Sequence, residues 1–168
     1  MSRSARHKVN ARSAARLASV QALYQMEISG GDVNDVVKEF ATYRLGEENQ
    51  EIPPTDIQYF SDIAHGVIGA QVKIDNLVNS ALAAGWTLGR LDNTLRALLR
   101  AATFELLERP DIPARVVINE YVDIAHAFFD AVEPSFVNGV LDRLAHDMRK
   151  EEFTDKQEPD EDFSAGQS

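Results

Sequence analysis

Three cations recur at every fourth position near the start of the chain: Lys8, Arg12 and Arg16. On a helix that spacing lines them along one edge, where ammonium and guanidinium groups can meet successive phosphates. No acid occurs before Glu27 to neutralise them. Two arginines one turn apart repel slightly, so the ladder is either a phosphate-binding edge or a solvated face. A second candidate lies at Phe136, Asn138 and Gly139. Asn-Gly ordinarily marks a hairpin turn, yet apolar residues at helical spacing run straight across it. Glycine inside a helix costs about 1 kcal/mol relative to alanine. Two reasons could stand behind it: a neighbouring helix in close approach, or a ligand beside an exposed helix start that carries Phe136 and Asn138.

Chemistry beyond binding is thin. The chain has no glycine-rich phosphate loop, no HExxH, no GxSxG and no dinucleotide fingerprint. Nothing pairs a nucleophile with a base, so no catalytic residue is assigned and an enzyme is not expected. Asp142 and His146 stand one turn apart, but two ligands do not make a metal site, and neither metal nor cofactor is expected. His65 and His126 fall in apolar surroundings, the setting of packing histidines.

Composition narrows the class further. The 168 residues are 44% hydrophobic, enough for a real core. With no cysteine, disulfides, thiolate zinc and a cysteine nucleophile are excluded. No apolar run approaches the roughly 20 residues of a membrane span, and no apolar segment follows the basic start as a secretory signal requires. A soluble cytoplasmic protein is expected. The net charge of −10 is unevenly spread: residues 1–16 hold five bases and no acid, whereas residues 151–168 hold seven acids against Lys156. Such a chain can be acidic overall and still present one cationic edge.

The elements that must position these residues read as helices throughout; no alternating strand pattern occurs. Residues 1–10 are expected to be a flexible basic arm. A helix over 11–29 follows, with Leu17, Val20, Tyr24 and Ile28 facing inward and Arg12, Arg16 and Ser19 outward, stopped at Gly30-Gly31. Asp32 caps a shorter helix to about 43, with Val33, Val36, Val37 and Phe40 inward. An acidic loop spans 45–54. Two helices follow from residue 55, with Gly66 and Gly69 marking tight packing or a bend between them, and Trp86 half-buried in the connection after them. Residues 90–109 form the central helix on Leu91, Leu95, Leu98, Leu99, Ala102 and Leu106, with Asp92 at its start and Arg96 and Arg100 on a solvated flank. Residues 118–144 form an antiparallel helix pair, broken at Glu133-Pro134-Ser135, with Pro134 opening the second helix and Ser135 a candidate cap. The expectation is an all-α protein of about seven helices. A helical domain at 11–150 divides into subbundles at about 11–84 and 85–150, ahead of a disordered acidic tail at 151–168.

Four motifs in this frame, VQALYQ at 20–25, LRAATFEL at 99–106, VVINEYVDIAHAF at 116–128 and FVNGVLD at 136–142, together resemble the NusB family of bacterial transcription antitermination factors. The resemblance covers about 12–144 and implies two small helical bundles packed together, without catalysis or cofactor. It implies binding of single-stranded boxA RNA from ribosomal-RNA leaders, jointly with ribosomal protein NusE, within the RNA polymerase antitermination complex. Carried over by position, it implies RNA contacts at Lys8, Arg12, Arg16, Phe136 and Asn138, and NusE contacts at Tyr24 and Asp92. Departures exist. The arginine run is sparser than the family's, and Leu95 and Arg96 stand where an acid that meets NusE is usual, with Asp92 a turn earlier. Some members self-associate, so a homodimer that buries the basic face is open. Two alternatives remain: a protein-only helical adaptor, and the RNA-binding domain of a ribosomal-RNA cytosine methyltransferase, which would need a glycine-rich cofactor domain that this sequence lacks.

Overall fold

Alanine, leucine, arginine and glutamate dominate the stretches between the glycines and prolines, and those stretches are helices: α1 (Arg3–Ser29), α2 (Val33–Glu39), α3 (Ile57–Gly69), α4 (Gln71–Ala81), α5 (Asn93–Glu108), α6 (Ala114–Phe128), α7 (Val132–Met148) and α8 (Lys150–Phe153). This is a computed structural model, and it describes the backbone of residues 3–44 and 55–154 and the side chains of 11–42 and 55–154. The acidic loop expected at 45–54 and the tail from 155 onward lie outside the described residues.

Three aspartates start helices. Asp32 accepts from the Asn34 amide at 2.8 Å, Asp56 from Tyr59 at 3.0 Å and Asp92 from Thr94 at 2.8 Å. Each such cap is worth about 1 kcal/mol. Gly30, at φ +69°, ends α1 and returns its amide to the Met26 carbonyl.

The axis of the fold is α5, which touches α1, α3, α4, α6 and α7. Its six expected core residues are all buried, and the same continuous cluster of buried side chains runs through both expected subbundles. Gly66 supplies the close approach its sequence position suggested, because a Cβ there would stand 2.1 Å from the Phe104 ring. Gly69 ends α3, and Ala70 makes the bend into α4. Trp86, in the connection that follows, keeps 53% of its surface exposed.

Several expectations change. Backbone that was expected to be an arm is helical from Arg3, so α1 begins well before residue 11. Its inward face is also different: Arg16 and Ser19 are buried, while Tyr24 and Ile28 are exposed. The second helix stops at Glu39 and passes into a π-helical turn, Phe40–Arg44. The break between α6 and α7 falls at Phe129–Ala131, and Glu133, Pro134 and Ser135 lie inside the first turn of α7. Proline is tolerated there because the first amides of a helix have no partner in any case, and for the same reason Ser135 sits too late to cap. His126 is exposed and His65 half-buried, so His126 does not pack as expected.

The start of the expected tail is ordered as α8. Arg149, 5% exposed, donates to the carbonyls of Leu106 at 2.9 Å, Glu105 at 3.0 Å and Arg109 at 2.8 Å, and also to Ile112. It thereby satisfies the carbonyls at the end of α5. Glu152 then accepts from the Ala114 amide at the start of α6 at 2.8 Å. Arg96 and Arg100 are not loose surface charges either. Arg96 reaches Glu27 at 2.7 Å, and Arg100 grips Asp75 through two bonds of 2.8 and 3.1 Å, tying α5 to α1 and α4.

Candidate nucleic-acid interface

Helix α1 supplies two arginines one turn apart, and the fold sends them to opposite environments. Arg12 keeps 41% of its side chain exposed, with its guanidinium carbon 5.0 Å from the Tyr59 ring centre and 4.0 Å between its Nε and Asp56. Arg16 is 3% exposed. Its guanidinium makes three bonds of 2.9–3.1 Å to Glu105, itself fully buried on α5. Its Nη2 also donates to the Tyr59 hydroxyl at 3.2 Å, and Nη1 lies 3.7 Å from Glu120. Ser13 donates to that same Glu120 at 2.8 Å, so α1 is joined to α6 as well.

A charge this deep survives only when paired, and here it is paired fully. Burial works against the charged form of Arg16, but the bonds and charge of Glu105 outweigh it and hold the guanidinium firmly protonated. Burial first, and then the Glu105 carboxylate, push the Tyr59 phenol well above its usual range, while Tyr59 donates to Glu105. Tyr121 lies in the same cluster, fully buried, and burial first, then the Glu105 carboxylate, raise its phenol well above the usual range. Arg16 is therefore not the outward phosphate ligand expected from its spacing. It is the buried pin that fixes α1 against α3, α5 and α6.

The remaining candidates separate as well. Lys8 lies on α1, but its side chain is outside the described residues. Phe136 is half-buried against the core, whereas Asn138 is exposed. Two residues apart on a helix is about 200° of rotation, so the two do not share a surface. Asn138 instead lines an open cleft of about 1130 Å³ with Arg115, Asn119, Asp142, His146 and Phe153. Among the described residues no group of three or more acids and histidines is placed to hold a metal ion. A Cβ built on Gly139 would meet nothing within 4 Å, so close helix packing does not explain that glycine. Among the described residues nothing packs on the face it opens.

At the other end of α1, Tyr24 is 41% exposed, Ile28 59% and Phe128 44%. They border a groove of about 510 Å³ with Gln21, Gln25 and Thr94. Of the two expected NusE-contact residues, Tyr24 lines this groove, whereas Asp92 is exposed and caps the amide of its neighbour Thr94. Leu95, at the position where an acid would be usual, is 7% exposed and belongs to the core.

Sequence reasoning missed Glu105, Tyr59, Glu120 and Arg109. Glu105 did leave a signal. It falls on the apolar stripe of α5, three residues beyond Ala102, where a lone acid requires a buried cation opposite.

An all-helical scaffold with a charge-pinned basic helix and an exposed apolar groove is a binding protein in class. The profile of the NusB family matches residues 13–146, and the chain belongs to that family. It is 49% identical over 149 residues to the transcription antitermination protein NusB of Rhodopseudomonas palustris strain HaA2, covering 88% of each chain. Among solved structures, T. maritima NusB superposes with a TM-score of 0.72 at 32% identity, covering 84% of this chain and 96% of that one. A crystal structure of antitermination factors NusB and NusE in complex with dsRNA superposes with a TM-score of 0.65 at 25% identity, covering 84% and 98%.

Proposed function

We propose that this protein is a transcription antitermination factor that binds boxA RNA of ribosomal-RNA leaders together with ribosomal protein NusE. The observation that carries this reading is the division of α1: one end sets Arg12 at the surface, and the other exposes Tyr24 and Ile28 around a groove. RNA and protein can then be held at once on a single rigid element. Arg12 supplies a phosphate contact, and Lys8 lies one turn earlier on the same helix. Asn138, across α6, offers an amide to a base edge. The half-buried Phe136 offers only part of its ring for stacking.

NusE docks on the groove of Tyr24, Ile28 and Phe128, with Asp92 a second, exposed contact at the start of α5. The net charge of −10 favours encounter with a basic ribosomal protein. Two modest interfaces in one complex reinforce each other, so the assembly can join RNA polymerase and let it pass terminators. This reading assigns the chain no reaction of its own.

The test is binding of labelled boxA RNA, with and without NusE, over a salt series. The expected result is that NusE tightens RNA binding, that Arg12→Gln weakens it, and that Tyr24→Ala abolishes the NusE effect. Binding to NusE without any RNA affinity would replace this reading with the protein-only adaptor.

A further inference from the structure

Arg12 is not alone at the surface end of α1. The guanidinium of Arg109, from the turn after α5, lies 4.9 Å from the centre of the same Tyr59 ring that Arg12 approaches to 5.0 Å. Tyr59 is 3% exposed, its hydroxyl is tied inward to Glu105 and the buried Arg16 also lies 5.2 Å from its ring centre, so the ring is a fixed pedestal for Arg12 and Arg109 on the outer side. The backbone of Arg109 is equally fixed. Its amide donates to the Glu105 carbonyl at 3.0 Å, and its carbonyl accepts from Ile112 at 3.1 Å and from Arg149 at 2.8 Å.

The fork of Arg109 already holds an anion. Its Nε and Nη2 donate to the two carboxylate oxygens of Asp111 at 3.0 and 2.9 Å, a bidentate geometry that also fits a phosphodiester. The bonds from Arg109 hold the Asp111 carboxyl down at about 2, with further contributions from the charges of Arg109 and Arg12. Arg109 therefore holds that carboxylate directly, and Arg12 lies at the same Tyr59 ring. Asp111 is 58% exposed at its side chain, so it can leave by a rotamer change. The other nearby acid, Asp56, is committed to the start of α3 and only reaches 4.0 Å from Arg12.

We propose that Arg109 is a second phosphate-binding residue of the RNA path, paired with Arg12 over Tyr59, and that Asp111 occupies its fork until an RNA phosphate displaces it. The proposal rests on the RNA-binding reading above. It assigns to Arg109 the role that spacing alone assigned to Arg16, and it makes Asp111 a built-in competitor that keeps the edge neutral when no RNA is bound.

The experiment measures the affinity of the full-length protein, with NusE present, for a labelled single-stranded RNA copied from a boxA element, across a potassium chloride series. Arg109→Gln is expected to weaken binding about tenfold at low salt and to flatten the salt slope by about 0.7, the value for one lost phosphate on a single strand. Arg109→Lys should keep the slope. Asp111→Asn should tighten binding several-fold, and because the residue is exposed this variant remains decisive even if Arg109→Gln melts early. Wild-type affinity and slope in Arg109→Gln, or weaker binding by Asp111→Asn, would overturn the proposal. A wild-type protein that binds no RNA would overturn the RNA-binding reading and this proposal with it. Loss confined to the Arg109 and Asp111 results leaves that reading standing.

Discussion

The two ends of α1 follow opposite rules. Around Arg16 the helix buries a full charge and a serine; around Tyr24 and Ile28 it leaves an aromatic and a branched aliphatic side chain in water. A helix folding for stability alone would do the reverse. The basic end is inverted because α5 and α6 offer Glu105 and Glu120, which make burial of Arg16 tolerable and specify one rotation of the helix. With that rotation, Tyr24 and Ile28, about 80° and 120° round the helix from Arg16, fall on its exposed side. The exposed groove thus follows from the buried ion pair.

The largest test of this contrast removes the pin. Arg16→Met leaves Glu105 buried without its cation and should cost about 3–5 kcal/mol in urea unfolding, while the double change with Glu105→Leu should recover most of the loss. A cost for Arg16→Met below that of an ordinary surface substitution would break the comparison. Next in size is the binding effect at the other end. Ile28→Ser should lower NusE affinity by more than 1 kcal/mol, yet alter melting of the free protein by no more than about 0.5 kcal/mol. A large loss of stability would show that Ile28 belongs to the core after all.

Smaller effects sharpen the picture. Gly139→Ala fills open space within a helix and should stabilise by about 0.5–1 kcal/mol, whereas Gly66→Ala drives a methyl into Phe104 and should destabilise. The smallest effects are in pH. Tyr59 and Tyr121 are held above the ordinary phenol range, so their contribution is complete below about pH 10 and is lost as pH rises beyond it. Asp111 is shifted the other way: its contribution is present above about pH 4 and fades as pH falls toward 2. Melting curves at the two extremes, with Tyr59→Phe and Asp111→Asn as controls, separate these terms.

Much of the fold was legible in the chain. Aspartates at positions 32 and 92, the double glycine after Ser29 and the leucine stripe of α5 located elements that the structure places as expected. Apolar periodicity worked for Val117, Tyr121 and Ile124 on α6 and for Val137, Val140, Leu141 and Leu144 on α7, but Phe128, which continues the α6 stripe at the same spacing, is exposed at the end of the helix. It failed on α1 because the calculation of a face from hydrophobicity cannot register a buried cation. The site was legible in part. Arg12, Tyr24 and Asp92 are surface residues, and Asn138 lines a cleft, but Phe136 faces elsewhere and Arg16 is inside.

By itself the sequence determined that the chain is helical, roughly where most of its helices lie, and which family it resembles, because caps, breakers and motifs act over a few residues. Only the tertiary structure decided which face of α1 turns inward, that Arg109 comes to the same Tyr59 ring as Arg12 while Arg16 is buried, and that a Cβ at Gly139 would meet nothing within 4 Å among the described residues. Those outcomes depend on what other helices bring to the same point. Glu105 lies 89 positions from Arg16 along the chain and within 3 Å of it in space, and no local pattern records such a meeting.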